Sequence, residues 1–276
     1  MSLRIFNNTE AQNAHRQLQA NSLAMSRTME KLSSGLRINR AADDAAGLAV
    51  SEEMRTNIRG LNMASRNALD GVSLVQVADG ALSGVNDMLQ RMRELAVEAA
   101  NGTYTDSQRS NIDREVQSLM AEIARVASDT EFNGIKILSG SVSTAASAVT
   151  LQVGADSGQT IAFTIGTMST TQLGIAGLAI STAASASAAI ASLDAAIRSV
   201  NTTRSDVGAI QNRLEQTISR LNLTSENTQA AESRIRDADM ASEMIEFTKR
   251  QILSQSGTAM LAQANQAPQN VLQLLR

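Results

Sequence analysis

One histidine, His15, stands beside Arg16, and one adjacent pair of carboxylates, Asp43 and Asp44, lies in the stretch "SSGLRINRAADDAAG". A histidine could serve as general base or metal ligand, and two carboxylates could divide acid–base work between them. Neither has the partners such chemistry needs. His15 falls on a helical pattern next to a cation, which suits a solvated or packed helix residue. Adjacent residues on a loop or helix start point apart, so Asp43 and Asp44 read as a cap. The sequence has no metal-ligand spacing, phosphate-binding glycine loop or nucleophile with its base. We expect neither an enzyme nor a bound cofactor or metal.

The composition narrows the remaining classes. A net charge of -3 and the lack of a basic stripe interleaved with aromatics disfavour nucleic acid. Without cysteine there are no disulfides and no thiolate metal sites. Aromatics are 2% of 276 residues, so any core is built from Leu, Ile, Val, Met and Ala, which suits closely packed helices. The best candidate for a membrane span, "STTQLGIAGLAISTAASASAAIASL", is too rich in Ser and Thr for the roughly 20 mainly apolar residues a span needs. The start "MSLRIFNNTEAQ" has no apolar run of signal-peptide length, which does not support classical secretion and leaves a route without a cleaved signal open.

The elements that would position any site are helices. Leu61, Ala64, Ala68, Gly71, Val75, Ala78, Leu82, Val85, Leu89, Met92, Ala96 and Ala99 step by threes and fours, the spacing of a coiled-coil seam. After the "NGTY" break, Thr105 and Gln108 form a capping box, and Ile112, Val116, Leu119, Ile123 and Val126 continue the pattern. Ile190, Leu193, Ile197, Val200, Val207, Leu214, Ile218 and Leu221 mark another long helix, with Arg204 and Gln211 at seam positions that could fix register. Near the start, Ala11, Ala14, Leu18, Met25 and Leu32 share a seam whose polar members are Asn21 and Thr28.

Between the helical arms, residues 132–188 read as a β and low-complexity insert. "EFNGIKIL" centres on the turn pair Asn133-Gly134, and "VTLQVGADSGQTIAFTIG" reads as two strands around Asp156 to Gly158. "SGSVSTAASA" and "STAASASAA" read as flanking linkers or loops. The predicted fold is mainly α: a long antiparallel helical coiled-coil rod with a small β-hairpin insert and paired N- and C-terminal helices.

The last helix has no charged face. From Gln251 to Leu275 there is no Lys, Arg, Asp or Glu. On a helix, Met260, Leu261, Ala264, Val271, Leu272 and Leu275 gather on one side, with Gln263, Asn265, Gln266, Gln269, Asn270 and Gln273 elsewhere. Such a surface suits packing against other copies or lining a polar cavity. Met25, Met88 and Met92, on the seams, read as core filling, and Arg91, Arg93, Glu94 and Glu98 sit beside the seam, facing outward or toward a neighbouring molecule.

"LSSGLRINRAADDAAGLAVSE", "ASRNALDGVSLVQVADGAL", "LQRMRELAVEAANGTYTDSQR", "FNGIKIL" and "SGTAMLAQANQAPQNVLQLLR" resemble bacterial flagellin, over 1–138 and 189–276. "LQVGADSGQTI" also resembles the β-hairpin of that family's rod domain. The resemblance implies an inner channel-lining coiled-coil domain at 1–44 plus 236–276 and a rod domain at 45–235. Residues 140–188 are too few for a large outer domain, so the chain resembles a minimal form. It implies a homopolymeric helical filament for swimming motility, type III export, and a secreted protein located in the extracellular flagellum.

The partners implied are a flagellin export chaperone on the C-terminal helix, the filament cap and hook-junction proteins, and no membrane insertion. Family members that stimulate Toll-like receptor 5 carry a pattern matched here at Gln90, Arg91, Leu95 and Glu115, a surface that should also lie at subunit contacts. A hook–filament junction protein sharing the terminal helices is the nearest alternative. A type III-exported coiled-coil effector or membrane-active helix bundle is a more distant one.

Overall fold

The computed structural model describes residues 8–144 and 147–274, with side chains described through 266. Five helices carry most of these residues: α1 (Thr9–Ser34), α2 (Ala45–Ala100), α3 (Asp106–Asp129), α4 (Ala183–Arg236) and α5 (Met240–Leu274). Two antiparallel hairpins lie between α3 and α4: β1 (Glu131–Phe132) with β2 (Ile135–Lys136), and β3 (Val149–Gln152) with β4 (Thr160–Phe163). The chain divides into two compact units, one of 1–56 with 227–276 and the other of 57–226. The sequence boundaries at 44 and 236 sit at helix breaks. The first turns of α2 and last turns of α4 group with the terminal helices, and there Glu52 pairs with Arg236 at 2.6 Å.

In the 57–226 unit, α2 and α4 run antiparallel, and the cross-links keep step. Asn62 accepts from Ser225 at 3.1 Å, Ser65 donates to Asn222 at 3.2 Å, Asp79 accepts from Arg204 at 3.0 Å, and Arg93 donates to Asp194 at 2.6 Å. Arg204 thus ties the register across the pair, whereas Gln211 donates to Glu215 on its own helix. Every residue of the α2 seam is buried except Leu61, which is half-buried. Apolar side chains every third or fourth residue form one stripe, and burying that stripe is what holds a helix of this length.

The α2–α3 turn is held by a buried cation. Arg109 donates through Nε to the Ala99 carbonyl at 2.9 Å and through Nη2 to that of Asn101 at 3.0 Å, while Asp106 takes Nη1 at 2.8 Å. These carbonyls belong to the end of α2, where a helix leaves acceptors without intrahelical donors. The Thr105–Gln108 capping box forms as the spacing predicts. Asn133 and Gly134 take φ of 51° and 77°, the paired left-handed conformation that a two-residue hairpin between twisted strands requires.

Two expectations change. "STAASASAA" is not a linker: α4 begins at Ala183, where Thr182 accepts from the Ser185 amide at 3.2 Å, and alanine is the best helix former. Residues 164–182 are irregular yet supply core, with Ile165, Met168, Leu173, Ile175 and Ile180 all buried. Backbone bonds pin this segment, Ile165 to Val142 at 3.2 Å and Met168 to Leu138 at 3.0 Å, and Asp113 accepts from Ile180 at 2.8 Å. It joins the same core as α3, and Leu74 and Leu95, off the predicted seam, are buried in that core as well.

The β3–β4 hairpin lies against α2 where that helix has no side chain. A Cβ at Gly71 would fall 2.2 Å from Leu151 Cδ1, whereas one at Gly80 would meet nothing within 4 Å. Gly71→Ala is expected to destabilise the monomer by about 1–3 kcal/mol through overpacking. Gly80→Ala is expected to stabilise it by about 0.5–1 kcal/mol through helix propensity. Urea unfolding followed by circular dichroism checks the opposite signs; equal effects would mean that the hairpin does not rest on α2 at Gly71.

Candidate assembly surface

Helix α1 is fixed at both ends by its own sequence. Asn8 accepts from the Ala11 amide at 3.0 Å, and Gly35, at φ 72°, donates to the Lys31 carbonyl at 2.8 Å. A backbone bridge between Leu36 and Asp237, with Arg37 N bonded to the Arg236 carbonyl at 2.6 Å, fastens this turn to the α4–α5 break. Asp239 then starts α5 by accepting from the Ala241 amide at 3.0 Å.

From there α1 and α5 run antiparallel. Lys31 meets Glu243 at 3.4 Å, Asn21 Nδ2 donates to the Arg250 carbonyl at 2.8 Å, and Asn8 Nδ2 donates to the Ala264 carbonyl at 2.8 Å. The predicted α1 seam faces inward: Ala11, Ala14, Leu18, Asn21, Met25 and Leu32 are half-buried and Thr28 is buried. Gly257 lets Leu18 come close, since a Cβ there would lie 3.3 Å from Leu18 Cδ1.

The face that α5 offers in return is mixed, with Phe247 and Leu261 among charged and small residues. Its less exposed positions are Glu243, Glu246, Phe247, Arg250, Ser254, Gly257, Leu261 and Ala264. Its other large apolar residues point out: Ile245 is 70% exposed, Ile252 62% and Met260 64%, with Met240, Met244 and Leu253 also exposed. Ile245, Ile252, Leu253 and Met260 recur about every second turn and make one stripe. Helix α1 adds exposed Leu23 and Met29. Scattered exposed hydrophobics are ordinary, but an apolar stripe along the outer side of a helix already packed on its other side marks a contact surface. Beside it, a groove of about 410 Å³ runs between the helices, lined by Leu18, Asn21, Leu253, Gly257 and Met260 among others.

The tail residues separate in the structure. Leu261 and Ala264 turn toward α1 while Met260 points outward, because the apolar arc they share is wider than one helix contact. Gln263, Asn265 and Gln266 are exposed. The side chains of Val271 and Leu272, and all of Leu275, lie outside the described residues.

The sequence-predicted recognition set is partly assembled. Arg91 bridges α2 and α3 by donating to Glu115 at 3.0 Å, and it also reaches Glu94 at 3.3 Å. Gln90, Arg91 and Glu115 are exposed. Leu95 is 2% exposed and belongs to the core beneath them, so it does not present its side chain. It is buried in the core that α3 and the irregular segment share, which the seam spacing does not reveal.

Of the residues that raised the question of enzyme chemistry, the two carboxylates cap backbone amides. His15 is exposed on α1. Asp43 accepts from the amides of Arg40 at 3.1 Å and Asn39 at 3.2 Å, and Asp44 starts α2 by accepting from the Gly47 amide at 2.9 Å. Among the described residues there is no group of three metal-binding side chains, and no helix is long and apolar enough to cross a membrane.

Known proteins resemble this chain along nearly all of it. The family model of the bacterial flagellin N-terminal helical region matches residues 5–143, and that of the bacterial flagellin C-terminal helical region matches residues 190–275. The flagellar filament 33 kDa core protein of Treponema phagedenis is 51% identical over 284 residues, covering 99% of each chain. The flagellin of Halalkalibacterium halodurans is 52% identical over 274 residues, again covering 99% of each. The crystal structure of Bacillus cereus flagellin superimposes with a TM-score of 0.50 at 32% identity, covering 56% of this chain and 88% of that one. A Vibrio parahaemolyticus chain described as flagellar hook-associated gives a TM-score of 0.60 over 71% of this chain and 100% of its own, but at 16% identity that likeness is one of fold alone.

Acid should act first on the unit that holds this surface. Glu52 lies below the usual carboxylate range because Arg236 and then Arg55 donate to it, Glu246 because Lys249 does, and Asp43 because the Arg40 and Asn39 amides do. A lowered native pKa gives stability that is present above the unfolded-state pKa, near 4 for a carboxylate, and lost as pH falls through the native one. Glu122 is lowered by Arg125 on its own helix, as Glu246 is by Lys249, whereas the Glu52–Arg236 pair joins α2 to α4. Amide exchange should therefore accelerate around Glu52 and Arg236, at the start of α2 and the end of α4, before α3 as pH falls below about 4.5. Simultaneous loosening would contradict this.

Proposed function

The chain belongs to the bacterial flagellin family, and we propose that it is the structural subunit that polymerises into the flagellar filament for swimming motility. The observation that carries this is the α1–α5 pair, whose mixed interface leaves Ile245, Ile252, Leu253 and Met260 turned to solvent. A subunit joined head to tail in an open helical array covers such faces with other copies, and repeated apolar contacts then hold the polymer. The family's filament and core proteins of similar length support the same reading.

In this reading, residues 1–44 and 236–276 form the inner, channel-lining part and 45–235 the outer rod. The uncharged polar positions Gln263, Asn265 and Gln266 then suit a wet channel. Type III export delivers the subunit, an export chaperone covers the α5 stripe before assembly, and cap and hook-junction proteins bound the filament at its ends. The subunit works outside the cell. A hook–filament junction protein is the second reading, favoured by the hook-associated fold likeness; identity near one half along whole flagellin chains supports the subunit instead.

The free subunit is also a Toll-like receptor 5 agonist in this proposal, through exposed Gln90, Arg91 and Glu115 held by the α2–α3 ion pair, with Leu95 shaping the patch from below.

Ile252→Gln is expected to abolish seeded polymerisation seen by electron microscopy while leaving the unfolding of the monomer within about 0.5 kcal/mol, as for an exposed site. Normal filaments from that variant would contradict the assembly surface. Arg91→Ala is expected to weaken receptor signalling by roughly five-fold or more, as for an interface anchor; unchanged signalling by a folded monomer would remove the recognition proposal.

A further inference from the structure

Methionine is distributed unevenly in this chain. Met92, Met120 and Met168 are buried in the core at 0%, 7% and 2% exposure. On the terminal helices, by contrast, Met29 is 54% exposed, Met240 46%, Met244 50% and Met260 64%, while on the rest of the chain Met63 on α2 is exposed at 48%. Met260 shares its stripe with Ile245, Ile252 and Leu253, and the other three stand on the same two helices, where a leucine would provide the same apolar area without a group that can be oxidised.

We propose that these four methionines are modification sites through which peroxides control assembly, a proposal that rests on the filament reading above. The step is a two-electron oxygen transfer. The thioether sulfur attacks one oxygen of hydrogen peroxide, the O–O bond breaks, the sulfur becomes a sulfoxide and the other oxygen leaves as water. Sulfur is oxidised and peroxide reduced, with no further reactant. The product is polar and strongly hydrogen-bonding, so burying it between subunits without a partner is unfavourable.

Exposure makes the control act in one direction. In the free subunit all four sulfurs are open to peroxide, whereas the core methionines are shielded by the fold. Once subunits cover one another, the same sulfurs are enclosed, so a finished filament resists an oxidant that stops its growth. Sulfoxide is reducible by methionine sulfoxide reductases, so the block is reversible.

The test treats the full-length monomer with hydrogen peroxide, maps sulfoxides by peptide mass spectrometry and follows seeded polymerisation. Oxidation is expected at Met29, Met240, Met244 and Met260, and also at exposed Met63 on α2, with Met92, Met120 and Met168 spared. The concentration needed for polymerisation should rise roughly ten-fold or more, the effect of burying one unpartnered polar group. Reductase treatment should restore it, and preformed filaments should keep these four sites reduced. A variant with leucine at all four should polymerise equally well before and after peroxide. Wild-type subunits oxidised at these four sites yet polymerising normally would overturn the proposal, as would a block that the reductase does not lift. Untreated protein that never polymerises would instead remove the filament reading on which the proposal stands.

Discussion

Two helices packed side by side share one interface, and α1 with α5 place only part of their apolar residues in it. Their common seam mixes Leu18, Met25, Leu32, Phe247 and Leu261 with Asn21, Thr28, Glu243, Glu246, Arg250 and Gly257, while Ile245, Ile252 and Met260 face out. In water such a pair is held by a few directed contacts, among them the Lys31–Glu243 ion pair and two asparagine amides donating to carbonyls across the pair. Exposed ion pairs contribute little, about 0–1 kcal/mol each, so the larger stabilisation available to these helices is the apolar area that only further copies can bury.

The 57–226 unit resolves the same problem internally. α2 and α4 close one seam, and α3 and the irregular 164–182 segment join the same core, so one continuous core runs through the unit. Where the packing is tightest, side chains are absent: Gly71 admits Leu151 and Gly60 admits Ala155. Arg109 supplies donors for the end of α2, which lets the chain reverse there without stranding buried carbonyls. This division gives one self-sufficient unit and one pair of helices with apolar area left exposed, and the proposed structural subunit needs both.

Much of the fold was legible because its signals are local or periodic. The α2 seam, the Thr105–Gln108 box and the Asn133-Gly134 turn each follow from spacing within a few residues, and each forms as read. The 164–182 segment was not legible, because it packs through Ile165, Met168, Leu173, Ile175 and Ile180 without the period of a helix or strand. For the same reason Leu95 looked available and is buried. In the tail, a helical projection groups Met260 with Leu261, but α1 covers only part of that arc, and nothing in the order of residues says which part.

The central claim is that the α5 surface holds copies of the chain together. Electron microscopy of seeded, purified protein, comparing the full chain with one ending at residue 250, tests it most directly. The account predicts long helical filaments from the full chain and none from the shortened one, with the 57–226 unit still folded. Filaments of equal length and number from both would contradict it.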